Sequence, residues 1–372
     1  MHLGAGVVAG ALIVYFSVTG ALLAYERPIL HAADRRSYAA EPVLPNAVPI
    51  PLDELLARAA AALPAPVDSV TIYQDVQAPV EIETATRDVY FVDPRSGRVQ
   101  GPESPRLHAF FTRVTALHRW FGLSNAHHAA AIAVKGAVAV LLLFQLVSGA
   151  FLWLPHRWNS TALRVGTVPR LRARGRARNY NWHKVTGFWI GPPLAIVVMT
   201  GVIMAYPSAN ALLFRLARSP LPARSGNGAP RRRDVAKHNL PGHLDQAFTQ
   251  ATSDVNGWRN ATLRLVPGTP GLSFMVDRSD GGHPDQREQV LIDPKTLQVV
   301  RREPFAALSR GQQWRSWVRF AHTGEAGGWW GETLALVTAC GAAILSITGI
   351  ALSFDRLRRW QRSQRRIGSQ HV

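Results

Sequence analysis

The chain has 372 residues, with 42 Lys and Arg against 24 Asp and Glu, which gives a formal net charge of +18. Only 18% of the residues are charged and 47% are hydrophobic, whereas soluble domains carry about 25% charged residues. The basic residues are gathered between apolar stretches, which argues against a disordered polybasic chain and against a nucleic-acid-binding protein. The single Cys340 excludes an intramolecular disulfide, and the lack of a CxxC motif argues against zinc, iron–sulfur and covalently attached haem sites.

Four apolar runs lack charged side chains and are long enough to cross a bilayer, which takes about 20 residues. They are residues 3–25, 136–154, 185–206 and 333–354. The first run has no basic leader and is longer than the apolar core of a signal peptide, so we interpret it as a membrane helix. The predicted fold class is membrane α-helical, with a four-helix transmembrane bundle. The alternative is a set of four buried helices in a soluble protein.

The basic residues predict the orientation of these helices. Residues 155–184 hold eight Lys and Arg and no acid, and residues 355–372 hold six Arg and one Asp. The positive-inside rule places both segments, and both termini, in the cytoplasm. We expect a multi-pass protein of the bacterial inner membrane, with the long insertions 26–135 and 207–332 on the periplasmic side. Arg231, Arg232 and Arg233 weaken this assignment without reversing it, because long translocated loops largely escape the rule.

The chain contains an internal repeat. At a constant offset of 181 residues, His2, Gly6, Gly10, Thr19-Gly20 and Ala24-Tyr25 match His183, Gly187, Gly191, Thr200-Gly201 and Ala205-Tyr206. The second and fourth runs correspond more loosely. His118 and His322 precede them, and Ser148-Gly149 and Thr348-Gly349 lie near their ends. The repeat predicts two halves that are each built as a span, an outer insertion and a second span.

The two insertions also resemble each other. A predicted helix, 52–63, precedes a strand-like segment, 69–73, and a second helix opening at Leu244-Asp245 precedes another, 261–266. Each insertion then has an alternating apolar run that ends in Asp-Pro, typical of a strand entering a turn. We therefore predict two small α+β domains, joined to the membrane part through a flexible linker, 219–233.

The predicted segments are a membrane helix 1–25, a periplasmic domain with its pre-membrane segment 26–128, a membrane helix 129–154, a cytoplasmic loop 155–184, a membrane helix 185–206, a periplasmic domain with a basic linker 207–321, a membrane helix with its entry 322–354, and a cytoplasmic tail 355–372.

Four histidines occupy equivalent places in the repeat. His2 and His183 lie at the predicted cytoplasmic ends, and His118 and His322 lie just before the spans that return from outside. A parallel repeat would place each pair across the bundle, where two imidazoles suit axial ligation of b-type haem iron. Glycines four and eight residues after two of these histidines share their helix faces and would leave room for the macrocycle; they are Gly6, Gly10, Gly187 and Gly191.

The glycines and the outer histidines also fit other interpretations. The same glycines also fit close helix packing. His127 or His128 is an alternative to His118 as a ligand, and His31 a further alternative outer ligand. His31 and His156 are more typical of residues at the membrane edge.

The chain resembles the PepSY-associated transmembrane family and, within it, the inner-membrane ferric-siderophore reductases. The resemblance covers nearly the whole chain and is carried by His2-Leu3-x-x-Gly6, Leu117-His118-Arg119-Trp120, Trp182-His183-Lys184-x-x-Gly187, His322-Thr323-Gly324-Glu325 and the two Asp-Pro strand-turns of PepSY type. It implies two PepSY-like periplasmic domains. It also implies an oxidoreductase in which two b haems carry electrons outward to an Fe(III)–siderophore, with His2 and His183 holding one haem iron and His118 and His322 the other.

The partners that this interpretation requires are an Fe(III)–siderophore, membrane lipid and an electron donor. The chain shows no nicotinamide or flavin domain, so we expect a quinol, a flavin or another reductase as donor. The alternative function is a non-enzymatic PepSY-domain membrane protein that binds a peptide, a protease or a transporter. A haem or metal transporter ranks last, because the repeat is parallel and no acidic residue lies inside a predicted span.

Overall fold

The computed structural model describes residues 2–39, 49–75, 78–86, 88–101, 104–155, 159–222, 242–265, 271–279 and 281–368. His156, Arg231, Arg232, Arg233 and most of the predicted linker 219–233 lie outside the described residues. The helices are α1 (His2–Leu23), α2 (Glu26–Ala39), α3 (Leu52–Ala62), α4 (Pro105–Trp120), α5 (His128–Trp153), α6 (Ser160–Thr167), α7 (Gly175–Ala205), α8 (Pro207–Leu216), α9 (Leu244–Thr252), α10 (Arg310–Thr323) and α11 (Gly328–Gly368). The strands are β1 (Val67–Tyr73), β2 (Val80–Thr84), β3 (Val89–Val92), β4 (Val99–Gln100), β5 (Asn260–Arg264), β6 (Leu272–Asp277), β7 (Arg287–Ile292) and β8 (Val299–Pro304).

These elements form two compact units. One comprises Met1–Glu26, Phe110–Leu213 and Val318–Val372, and contains α1, α5, α7 and α11. The other comprises Arg27–Ala109 and Phe214–Trp317, and contains all eight strands with α3 and α9.

The first unit is a ring of four long helices. Helix α1 packs against α5 and α11, and α7 packs against the same two helices, so α1 and α7 lie on opposite sides of the ring. Within the described residues, four helical stretches are long and apolar enough to cross a membrane: Gly4–Ala33, Pro105–Trp153, Gly175–Ala205 and Glu325–Gln364. The protein is thus a multi-pass membrane protein with a helical membrane part.

The long helices extend beyond the apolar runs that predict them. Helix α5 begins at His128, before residue 136, and α7 begins at Gly175, before residue 185. Helix α11 continues to Gly368 and includes much of the basic segment 355–372. Hydropathy marks the part of a helix that lipid can cover, whereas backbone hydrogen bonding continues the helix into polar sequence.

The second unit contains one antiparallel sheet of eight strands in the order β4-β3-β2-β1-β5-β6-β7-β8. The two insertions supply four consecutive strands each, and β1 pairs with β5 at the centre, with Thr71 opposite Thr262. The hydroxyls of these two threonines are 2.8 Å apart. The structure therefore differs from the prediction of two separate domains. Each half-sheet alone would expose an edge of unpaired backbone groups, and pairing β1 with β5 satisfies both edges.

Helices α3 and α9 cover one face of this sheet and share its hydrophobic core. The buried side chains of α3 include Leu55 and Leu56, and those of α9 include Leu244 and Phe248. They join alternate strand residues, such as Phe274, in one continuous cluster. Burying each of these large apolar side chains contributes about 1.5–3 kcal/mol. The shared core makes one domain of the two insertions.

The Asp-Pro segments form the predicted turns. Asp93 accepts a hydrogen bond from the backbone N–H of Arg95, and Asp293 accepts from those of Lys295 and Thr296. The Thr296 and Lys295 amides hold the pKa of the Asp293 carboxyl below its usual value. The turns close with residues in the left-handed region, Gly97 at φ +70° and Leu297 at φ +57°.

The two helices of the sheet unit exchange N-terminal caps. The Leu52 N–H at the start of α3 donates to Asp245 Oδ2 at 2.8 Å, and the Leu244 N–H at the start of α9 donates to Asp53 Oδ1 at 3.0 Å. Each aspartate also lies in the first turn of its own helix, where a negative charge is favourable. Two carboxylates therefore stabilise two helix N-termini and join the halves of the repeat.

Removing either carboxylate should destabilise this unit. We expect Asp53→Ala and Asp245→Ala each to lower its free energy of unfolding by about 1 kcal/mol, the usual effect of losing an N-terminal cap. Pulse proteolysis of the purified full-length protein across a urea series measures this change. Glu54→Ala is the matched control, since Glu54 lies in the same turn but pairs only with Arg58 on the helix surface. An aspartate effect no larger than that of Glu54→Ala would contradict the exchanged caps.

Candidate functional site

Two histidines lie on opposite helices at one end of the ring. His2 of α1 has its Nδ1 at 2.8 Å from the Ser148 hydroxyl of α5. His183 of α7 has its Nδ1 at 3.0 Å from the Thr348 hydroxyl of α11, and at 3.0 Å from the Leu345 carbonyl oxygen. We call His2 and His183 the inner pair, after the cytoplasmic side predicted for them.

The other two histidines of the repeat have the same arrangement. His118 of α4 has its Nδ1 at 2.8 Å from the Thr19 hydroxyl of α1. His322 of α10 has its Nδ1 at 3.1 Å from the Thr200 hydroxyl of α7, and at 2.9 Å from the Val197 carbonyl oxygen. We call His118 and His322 the outer pair.

The hydroxyls determine which ring nitrogen carries the proton. Each hydroxyl donates to a carbonyl one turn back in its own helix: Ser148 to Phe144, Thr348 to Ile344, Thr19 to Tyr15 and Thr200 to Ile196, at 2.7–2.9 Å. A hydroxyl has a single proton, so each oxygen can only accept from the histidine. The Nδ1 atoms of His183 and His322 also lie 3.0 and 2.9 Å from the carbonyl oxygens of Leu345 and Val197, which can only accept, so the proton lies on Nδ1 in these two rings. The same tautomer of His2 and His118 lets Ser148 and Thr19 keep their bonds to the helix backbone. In a neutral imidazole this leaves the Nε2 lone pair available to bind a metal.

A glycine follows each of these hydroxyl residues and leaves room for the ring. A Cβ added at Gly149 would lie 3.4 Å from His2 Cε1, and one at Gly349 would lie 3.3 Å from His183 Cε1. The corresponding distances are 3.5 Å from Gly20 to His118 and 3.4 Å from Gly201 to His322. We call Ser148-Gly149, Thr348-Gly349, Thr19-Gly20 and Thr200-Gly201 the hydroxyl–glycine pairs. Each pair holds one imidazole by its Nδ1 and Cε1 edge.

The two rings of the inner pair are about as far apart as two imidazoles that bind the same metal. Their centres are 6.5 Å apart and their planes are 80° apart. A metal–imidazole bond is about 2.0–2.1 Å long and the nitrogen lies about 1.1 Å from the ring centre, so two rings on opposite sides of one metal have centres about 6.3 Å apart. The observed separation would allow both imidazoles to hold one metal. This donor set, two neutral imidazoles facing across an apolar bundle, suits haem iron.

The outer pair lies near a cation. The Lys135 ammonium is within electrostatic range of both His118 and His322. Lys135 lies on α5 and its Nζ donates to the Arg119 carbonyl at 3.5 Å. Phe16 and His118 form a T-shaped ring contact, with ring centres 5.7 Å apart. A cation and an aromatic wall therefore accompany the outer pair.

The glycines predicted to make room for haem have different surroundings. A Cβ at Gly10 would lie 2.8 Å from Ile350, so Gly10 permits close approach of α1 and α11. A Cβ at Gly6 would lie 3.0 Å from Gln145, and one at Gly187 would lie 3.6 Å from Leu345. At Gly191 nothing lies within 4 Å of the added atom. Close helix packing, the alternative interpretation, accounts for Gly10.

The alternative histidines have local partners. His128 stacks on Trp120, with ring centres 4.5 Å apart, and its Nε2 donates to the Leu123 carbonyl at 3.1 Å. His127 Nδ1 lies 3.2 Å from the Ser124 hydroxyl. His31 lies in α2, within the second unit. The Nε2 of His128 is thus occupied, whereas no described residue hydrogen-bonds the Nε2 of the four histidines of the repeat.

Sequence reasoning missed the role of the hydroxyl–glycine pairs and of Lys135. All four pairs are visible as repeat markers, but only the structure shows that each contacts a histidine. Lys135 stands one residue before the second apolar run, where it resembles an ordinary flanking charge. Among the described residues, no group of three or more His, Cys, Asp or Glu could hold a metal ion. The candidate site therefore consists of the paired histidines.

Comparison with known proteins agrees with this architecture at the level of the family. The profile of the family described as PepSY-associated TM region matches residues 1–356. Comparison with curated proteins gives no match. The matched range includes α1, α5, α7, most of α11, both insertions and all four histidines of the repeat. The chain belongs to the PepSY-associated transmembrane family.

Proposed function

We propose that this protein is a haem-dependent oxidoreductase that carries electrons across the bacterial inner membrane and reduces a periplasmic Fe(III)–siderophore. The observation that supports it best is the shared geometry of the four histidines, each with a protonated Nδ1 and an available Nε2. His2 and His183 would hold one b-type haem, and His118 and His322 a second. Bound haem would supply reversible one-electron chemistry.

The chain's own residues would set ligation and orientation. Each hydroxyl–glycine pair fixes the tautomer of its histidine and the plane of its ring, as partners beyond the first coordination shell do in other metal sites. The hydrogen bond from Nδ1 makes the imidazole a stronger donor toward iron. Lys135 places a positive charge beside the outer pair, which favours the lower charge of Fe(II) there over that of Fe(III).

Two sites would divide the thickness of the membrane. The hydrocarbon core is about 30 Å thick, and the pairs belong to opposite ends of α1 and α7. With 155–184 and 355–372 in the cytoplasm, the inner pair would receive electrons from a quinol, a reduced flavin or a reductase. One electron converts Fe(III) to Fe(II), and hard siderophore oxygens hold Fe(II) less tightly, so the iron is released.

Replacing the histidines tests the haem assignment. Pyridine haemochrome analysis of the purified protein should give about two b haems per chain, one per histidine pair. His183→Ala and His322→Ala should each lower the haem content by about one, with different spectral bands lost. His128→Ala should keep both haems, because its Nε2 is occupied. A wild-type chain without haem would contradict the proposal and favour the non-enzymatic alternative; an unchanged spectrum in either variant would refute that pair.

Removing a hydroxyl tests the role of the hydroxyl–glycine pairs. We expect Ser148→Ala to weaken inner haem binding by about tenfold and to raise its midpoint potential, because His2 loses its Nδ1 partner. Thr348→Val should act in the same direction but less, since His183 keeps the Leu345 carbonyl. Thr338→Val is the matched control, because Thr338 is a buried threonine of α11 whose hydroxyl bonds only Leu334.

The measurement is a redox titration followed by visible absorbance, with haem content determined on the same samples. Equal shifts in Thr348→Val and Thr338→Val would show that the hydroxyl of Thr348 has no specific role. A larger effect of Thr348→Val than of Ser148→Ala would contradict the assigned hydrogen bonds.

A third experiment tests the reduction of an Fe(III)–siderophore. Protein reduced in membranes should be reoxidised by an Fe(III)–siderophore while Fe(II) appears, followed with a coloured Fe(II) chelator. His322→Ala should lose most of this reaction, since it removes an outer ligand. Haem-loaded wild-type protein that Fe(III)–siderophores fail to reoxidise would contradict the substrate assignment and leave the haem assignment standing.

A further inference from the structure

Four arginines line a groove of about 460 Å³ at one end of the helical unit. Arg176 and Asn179 come from the first turns of α7. The groove is completed from α11 by Asp355, Arg358, Arg359 and Arg362. The spacing of the α11 residues, three and four apart, places them on one helix face. We call this the arginine groove.

The groove carries an excess of positive charge. Its ionisable side chains give it a net charge of +3 at neutral pH. Arg359 Nε donates to the main-chain carbonyl of Asp355 at 3.0 Å, and not to its carboxylate. Within the described part of the chain, none of the four arginines forms an ion pair with Asp or Glu. The guanidinium groups therefore have hydrogen-bond capacity left for a ligand.

The neighbouring backbone adds to this charge. The first turn of α7 contains no acidic residue, and the side chain of Arg174 does not cap it. Its free N–H groups carry the positive end of a 31-residue helix. The Asn179 amide offers a further donor at the same wall.

We propose that the arginine groove binds the phosphate group of an anionic ligand. Guanidinium forks match phosphate oxygens in geometry and charge, and the single carboxylate on the wall disfavours a ligand that is negative throughout. The volume exceeds that of a lone phosphate, so a ligand with an attached neutral portion fits better. Two sources share this chemistry, the headgroup of an anionic phospholipid and the phosphate of a soluble nucleotide.

The arginine groove and His183 of the inner pair lie on the same helix, α7. Gly175 and His183 are eight residues apart on α7, a rise of about 12 Å. A soluble phosphate-bearing electron donor held there would lie near His183, and a lipid headgroup would anchor the same helix end. The binding proposal itself does not depend on haem, and the test below has no redox readout.

The test compares two variants that lose equal charge. Arg358→Gln/Arg359→Gln/Arg362→Gln removes three arginines of the groove. Arg164→Gln/Arg170→Gln/Arg172→Gln removes three exposed arginines from the same predicted side of the membrane and outside the groove. Far-UV circular dichroism and size-exclusion chromatography check the fold. The single variant Arg176→Gln, on the opposite wall, replaces the triple variant if that protein does not fold.

The two arms distinguish the source of the phosphate. In the soluble arm, protein in phosphatidylcholine nanodiscs is titrated with flavin mononucleotide and with inorganic pyrophosphate by calorimetry. In the lipid arm, native mass spectrometry counts the phosphatidylglycerol retained from nanodiscs of graded composition. We expect binding in at least one arm, weakened by about tenfold or more in the groove variant, because charge-assisted hydrogen bonds are lost. The control variant should stay within about twofold of wild type.

Each outcome decides the proposal. Weaker retention of phosphatidylglycerol in the groove variant alone identifies a lipid headgroup, and weaker binding of flavin mononucleotide or pyrophosphate identifies a soluble ligand. No binding by the wild-type protein in either arm would overturn the proposal. An equal loss in the groove and control variants would also overturn it, since only general charge attraction would then operate.

Discussion

The candidate site depends on a two-step hydrogen bond that starts in the helix backbone. A carbonyl one turn back accepts the proton of a serine or threonine hydroxyl, and the oxygen then accepts from a histidine Nδ1. A backbone carbonyl cannot donate, so the direction of the first bond is fixed, and a hydroxyl whose proton is used in that bond accepts from Nδ1. The same sequence occurs at four places, once for each histidine of the repeat. Ring orientation, tautomer and the availability of Nε2 all follow from it.

The two halves of the repeat associate in different ways in the helical unit and in the sheet unit. In the helical unit the halves form a closed ring, where α1 and α5 have the counterparts α7 and α11. In the sheet unit they join at the edge strands β1 and β5 and exchange the caps supplied by Asp53 and Asp245. Both arrangements satisfy groups that one half alone would leave unpaired, namely apolar helix faces in one case and strand edges with helix N-termini in the other.

Much of the membrane part could be predicted from sequence because its signals are local or periodic. Apolar length identified four spans, and an ungapped offset of 181 residues paired His2 with His183. The joining of the two insertions could not be predicted, because alternation in Ser69–Tyr73 shows a strand and not its partner. Apolar length also did not predict that α11 continues to Gly368, beyond residue 354, because backbone hydrogen bonding carries the helix into polar sequence. The contact between Thr200 and His322 joins residues 122 positions apart, which no local pattern reports.

The distance between the inner and the outer pair is set within individual helices. Helix α1 carries His2 of the inner pair and Thr19, which contacts His118 of the outer pair, and α7 carries His183 and Thr200 in the same way. Both intervals are 17 residues, or about 25 Å of helix. Helices α1 and α7 therefore set the same separation between the inner and the outer histidine pair. An insertion of one residue in either interval would turn its hydroxyl by about 100° away from its histidine, so the interval can change only in steps of about one helical turn.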